Sequence, residues 1–182
     1  MLKKLNFDIQ DVNIVDDGIW TIGKMFADPD FAHIQHEVTN VPDKSYQPSP
    51  AFPTERFELT WMLDGVLEEL TEAFKEQEAW VSETIGTPVK FGQVRVWRDH
   101  PGFMIPFHED DKVSAAHIQI YIDGPIGEFG TTWYTPKGRF TCPFVFNSGY
   151  LTVCEKRLPH GLLKPVEGQV RYSLYATFAK AA

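Results

Sequence analysis

His108-Glu109-Asp110 and, far downstream, His160 offer two imidazoles and a carboxylate. Nitrogen and carboxylate-oxygen donors with positions left open suit non-haem Fe(II) and its oxygen chemistry. No cysteine belongs to the set, which argues against a closed structural zinc site. One residue separates His108 from Asp110, so on an extended segment both side chains point to the same side and can hold one ion together. Asp111, the neighbouring carboxylate, points the other way. His160 follows Leu158-Pro159 and can bring the third ligand from a distant strand.

A second group closes the chain. Arg171, Ser173 and Tyr175 share one face of a final strand, while Val170, Tyr172, Leu174 and Ala176 take the other. Arginine is costly to bury without a partner, and its planar fork matches a carboxylate in bidentate fashion. Ser173 can add a hydroxyl to the same anion. The residues therefore predict an Fe(II) oxygenase with an anion site beside the metal.

Such ligands need strands to carry them. After Pro88 the sequence alternates with period two: Val94 and Val96 against Arg95 and Trp97, then Ile118, Ile120 and Ile122 against His117, Gln119 and Tyr121. Pro143-Phe144-Val145-Phe146-Asn147 and residues 169–178 read as further strands. Turns at Asp123-Gly124-Pro125, Pro136-Lys137-Gly138 and Glu167-Gly168 separate them. Upstream, Leu63, Val66, Leu67, Leu70 and Phe74 recur at helical spacing with Glu68, Glu69, Glu72 and Glu76 between them. This predicts a supporting helix over 57–85 with a solvated acidic face, stopped by Gly86 and Pro88. Asn40 to Pro50 reads as an irregular loop. The expectation is a mainly β, α+β fold: a jelly roll packed against helices. The 182 residues form a single domain in this reading, with a helical and loop support region at 1–90 and a β core at 91–182.

Composition narrows the function. Seventeen basic against 25 acidic residues give a net charge of −8, which works against nucleic acid or an anionic membrane as partner. His33, His36 and His100 stand in loop-like surroundings and read as surface residues, and His117 reads as a hydrogen-bonded core residue. Two cysteines, Cys142 and Cys154, could form one disulfide, but so few thiols more often mean a reduced chain. No run approaches the ~20 apolar residues of a membrane span, and no signal-like segment opens the chain. A cytoplasmic protein is expected.

With these residues in place, Phe91 to Phe178 resembles the double-stranded β-helix of the Fe(II)/2-oxoglutarate-dependent dioxygenases, and within them the prolyl-4-hydroxylase-like group. The likeness rests on an ordered series: Gln93-Val94-Arg95-Val96-Trp97, Pro101-Gly102, His108-Glu109-Asp110, Ile118-Gln119-Ile120-Tyr121-Ile122, Phe144-Val145-Phe146, His160-Gly161 and the run from Lys164 to Ser173. It implies that His108, Asp110 and His160 bind Fe(II). It also implies that Arg171, assisted by Ser173, pairs with the distal carboxylate of 2-oxoglutarate, and that Tyr121 lines the cosubstrate pocket. The implied reaction uses O2, with ascorbate as a candidate accessory reductant, and releases succinate and CO2 as a C–H bond is hydroxylated. Asp110, where the halogenating branch carries a small residue, favours hydroxylation. The substrate is a peptidyl, prolyl-like residue, a free amino acid or another small metabolite. The alternatives are a non-catalytic, cupin-like jelly-roll module that binds a metal or ligand, and a cupin-type metalloenzyme, whose His-x-His pair is absent.

Overall fold

The computed structural model describes residues 2–59, 65–110 and 113–181. A hairpin opens the chain: β1 (Phe7–Asp16) and β2 (Ile19–Phe26) turn at Gly18, whose φ of 89° is in the left-handed region where glycine carries no Cβ penalty. Helix α1 (Asp28–Thr39) follows, then β3 (Tyr46–Ser49) and β4 (Phe52–Leu59). Helices α2 (Val66–Lys75) and α3 (Glu78–Ile85) lead into the long strand β5 (Val89–Asp99). The remaining strands are β6 (Ile105–His108), β7 (Ala116–Asp123), β8 (Thr132–Thr135), β9 (Gly138–Thr141), β10 (Gly149–Val153), β11 (His160–Leu162) and β12 (Arg171–Lys180).

Two antiparallel sheets result, the jelly-roll architecture that the alternation predicts. The larger runs β1-β2-β10-β7-β12-β5-β4-β3 and the smaller β6-β11-β8-β9. One face of the large sheet is apolar. Val94, Val96, Ile118, Ile120, Leu174 and Ala176 pack there against Ile34 and Val38 of α1, Leu70 and Phe74 of α2, and Val81 of α3. A fully buried side chain of this kind contributes about 1.5–3 kcal/mol. The other face carries the odd-numbered partners, Arg95, Trp97, His117, Gln119, Arg171 and Tyr175. Seven consecutive residues of β7 are buried, because helices cover one of its faces and the site covers the other.

Several expectations are corrected. Residues 57–59 belong to β4, not to a helix: Phe57 pairs with Arg98 and Glu58 with Trp97 of β5. The helical stretch is two helices, α2 and α3, and Leu63 lies outside the described residues. Gly86 does cap α3 in the left-handed conformation. Glu69 is not on a solvated face; it is buried, accepting hydrogen bonds from the Lys3 amide at 2.7 Å and the His33 ring at 2.9 Å. Residues 46–49 pair as β3, and residues 1–90 hold four strands that extend the large sheet on both sides. Phe144 to Asn147 form no strand. Phe144 makes one bridge to Gly127, and Asn147, at φ 61°, turns to bond the backbone of Phe26 with its side chain. His100 is half-buried against Phe57, not a surface residue. Cys142 and Cys154 are buried and form no disulfide.

The small sheet exists to set two strands side by side. At Gly161 of β11 a Cβ would fall 2.5 Å from the Ile105 carbonyl and 2.9 Å from that of Pro106. Only glycine lets β11 lie this close to β6, where His160 pairs with His108. Gly161→Ala is expected to force the strands apart and weaken metal binding at least tenfold while leaving the helix-covered core folded. Metal titration beside a thermal melt checks this, and unchanged metal affinity would remove the close-approach argument.

Candidate metal centre

β6 and β11 place the two histidines directly opposite each other, with ring centroids 4.5 Å apart. Asp110 lies just past the end of β6, and one ligand atom from each of His108, Asp110 and His160 falls within 4.8 Å of the others. The chain thus brings together the three residues that the sequence singles out as candidate metal ligands. Asp111 lies outside the described residues.

Each imidazole is oriented by the backbone before it. His108 Nδ1 donates to the Pro106 carbonyl at 3.1 Å, and His160 Nδ1 to that of Leu158 at 2.9 Å. With Nδ1 committed to a carbonyl, Nε2 is the nitrogen each ring can offer a metal once any proton on it is released. His160 Nε2 is 3.5 Å from Asp110 Oδ1. The other carboxylate oxygen, Oδ2, is 3.1 Å from His117 Nδ1, which also touches the Tyr175 hydroxyl. Tyr175 stacks on Trp97 at 4.5 Å. His117 is therefore a hydrogen-bonded buried residue, and its partner is the Asp110 carboxylate.

The electrostatics follow. Burial alone would raise the Asp110 carboxyl, but hydrogen bonds from His117 and His160 and their charge hold it well below the usual carboxylate range. Burial opposes charge on His160, yet Asp110 outweighs it and raises the imidazole. An anion facing nitrogen donors at a cavity wall is ready to exchange protons for a cation. The donor set and its spacing fit Fe(II).

These ligands open onto a cavity of about 440 Å³. Its walls include Trp97, Gln119, Thr131, Tyr150 and Tyr175, with Arg171 and Arg56. Arg171 points inward and is 1% exposed; its Nε donates to the Phe129 carbonyl at 3.1 Å and its Nη1 to Asp99 Oδ2 at 2.5 Å. Ser173 and Tyr121 lie on the same sheet face but do not line the cavity. Ser173 accepts from Gln119 Nε2 at 3.1 Å, and the Tyr121 hydroxyl accepts from the Thr131 amide at 3.1 Å. Their partners Gln119 and Thr131 do line it, and Gln119 Oε1 accepts from Tyr150 at 2.6 Å and Thr131 at 3.2 Å. The sequence reading missed Arg56, Thr131 and Tyr150. Arg56 was legible only as an alternating position in Thr54-Glu55-Arg56-Phe57-Glu58.

No family model and no curated protein matches the chain. Solved structures do. A prolyl-4-hydroxylase from Pseudomonas putida superposes with a TM-score of 0.68 at 15% identity, over 91% of this chain and 94% of that one. The non-heme alpha-ketoglutarate-dependent carbocyclase SnoK of nogalamycin biosynthesis gives 0.70 at 14% identity, over 91% and 80%. HygX from Streptomyces hygroscopicus, solved with nickel, 2-oxoglutarate and hygromycin B, gives 0.68 at 9% identity, over 91% and 84%. At such identities the likeness is one of fold, and the fold is the jelly roll of the 2-oxoglutarate–Fe(II) oxygenase structures, the prolyl-4-hydroxylase-like group included.

Proposed function

We propose that this chain is an Fe(II)- and 2-oxoglutarate-dependent dioxygenase that hydroxylates a C–H bond of a prolyl-like residue, free amino acid or small metabolite. The observation that carries the reading is the meeting of His108, Asp110 and His160 within 4.8 Å, on the same cavity that Arg171 lines. In this reading His108, Asp110 and His160 hold the metal and leave positions open. The metal, 2-oxoglutarate and O2, when bound, supply the oxidation that hydroxylates substrate and yields succinate and CO2, with ascorbate as an accessory reductant.

The chain's own residues do the rest. The Nδ1 bonds to Pro106 and Leu158 fix both imidazoles, and His117 with Tyr175 fixes the carboxylate, as supporting hydrogen bonds commonly do around metals. Arg171 takes the distal carboxylate of the cosubstrate. Ser173 acts on that wall through Gln119, and Tyr121 through Thr131, so both serve as supports for the groups that line it. The aromatic walls, Trp97, Tyr150 and Tyr175, limit water in the cavity. The buried thiols of Cys142 and Cys154 accord with a cytoplasmic setting.

The test is succinate release by the purified chain with Fe(II), 2-oxoglutarate and air, with and without candidate amino acids, proline-containing peptides and small metabolites. Slow succinate formation without substrate, stimulated by one class, is expected. Tight metal binding with no succinate under any condition would replace the oxygenase with a metal-binding module.

A further inference from the structure

Arg56, Asp99 and Arg171 form a single row across three adjacent strands of the large sheet: Arg56 pairs in register with Asp99, and Asp99 with Arg171. All three side chains are buried, at 5%, 0% and 1% exposure. Arg56 Nε donates to Asp99 Oδ1 at 2.6 Å, and its Nη2 to Oδ2 at 3.0 Å. Arg171 Nη1 reaches the same Oδ2 at 2.5 Å. The two guanidinium groups therefore converge on one oxygen from opposite sides.

The row is unequal in charge. Two cations share one carboxylate, and the other acidic group on this face, Glu58, is 3.3 Å from Arg95. One positive charge is left uncompensated among the described residues, in a place where an unpaired charge is costly. Both arginines line the cavity and Asp99 does not. The carboxylate sits behind, and the cations face the space in front. Arg56 is further clamped between the Trp97 and Phe103 rings, 3.9 and 4.2 Å from their centroids, so its fork has little freedom to turn away. Neither Nη1 of Arg56 nor Nη2 of Arg171 has a hydrogen-bond partner among the described residues.

We propose that Arg56 is a second anchor for the ligand carboxylate, so that one anion is held between Arg56 and Arg171 with Asp99 as the positioning residue behind them. This rests on the reading of the cavity as a 2-oxoglutarate site. The charge count calls for one anion and no more: with the distal carboxylate in place the row is neutral, and the primary substrate need bring no negative group to it.

The test compares two ligands by calorimetry on the Mn(II)-supplied protein without turnover. One is 2-oxoglutarate; the other is 2-oxopentanoate, which has a methyl in place of the distal carboxylate. Arg56→Gln is expected to raise the Kd for 2-oxoglutarate about 10- to 100-fold, the loss of a charged hydrogen bond, and to leave that for 2-oxopentanoate unchanged. Arg56→Lys, which keeps the charge and the fold but not the fork, falls between. Arg171→Gln should weaken 2-oxoglutarate in the same selective way. Unchanged 2-oxoglutarate binding in Arg56→Gln beside a loss in Arg171→Gln would leave Arg171 as sole anchor and overturn the inference alone. Equal weakening of both ligands would make Arg56 a structural residue, with the same consequence. If the wild-type chain does not distinguish the two ligands, the cosubstrate reading itself falls and takes the inference with it.

Discussion

Replacing His108 with alanine is expected to bring succinate formation from 2-oxoglutarate to background while the protein stays folded. The side chain is exposed at the end of β6 and, among the described residues, hydrogen-bonds the nearby Pro106 carbonyl alone, so its removal costs little stability. It is nonetheless one of three groups that could hold the metal. Two remaining ligands bind a divalent ion far less well than three, and without the ion the cavity has no means to activate O2. Circular dichroism and a thermal melt would show the wild-type fold; iron content and succinate would both be lost. Turnover at the wild-type rate would remove His108, and with it the triad, from the account.

The largest stability effect belongs to a residue that touches neither metal nor cavity. Asp99→Ala should destabilise the chain by about 3–5 kcal/mol, because it leaves two buried guanidinium groups without their shared carboxylate. For a domain of this size each kcal/mol lowers the melting temperature by roughly 2–4 °C. The control is nearby on the same face. Glu58→Ala breaks the half-exposed pair with Arg95, and a pair of that kind is worth about 1 kcal/mol or less. Equal, small losses in both variants would show that the row is not the buried electrostatic unit described.

The core strands, and the inward face of the strand that carries Arg171, were legible because period two is a strong signal where one face packs against helices. It aligned Val94 with Val96 and Ile118 with Ile120 toward the apolar side, and so turned Arg171 inward. Parity selects a face but not a depth, however. Ser173 and Tyr121 share the site's face yet bond to Gln119 and Thr131, which line the cavity in their stead. Arg56 was out of reach for another reason. Its partner Asp99 is 43 positions away, and only the register of β4 on β5 brings them together. β1 and β3 escaped notice because they are the edge strands of the large sheet, and edge strands are half-solvated and tolerate Pro, Asp and Asn, which blurs the alternation. Helical periodicity in α2 was real but was carried too far upstream, into residues that pair as β4.

In the proposed function, three side chains from β6, its following loop and β11 hold one cation. Titration of the chain with Mn(II), followed by electron paramagnetic resonance, tests it most directly. One ion per chain should bind, and His108→Ala, Asp110→Ala and His160→Ala should each abolish it, while Cys154→Ser leaves it intact. The fold also brings Asp110, His117 and Cys154 together as a second possible ligand group. Retention of the ion in His108→Ala and His160→Ala, with loss in Cys154→Ser, would put the metal there and contradict the triad.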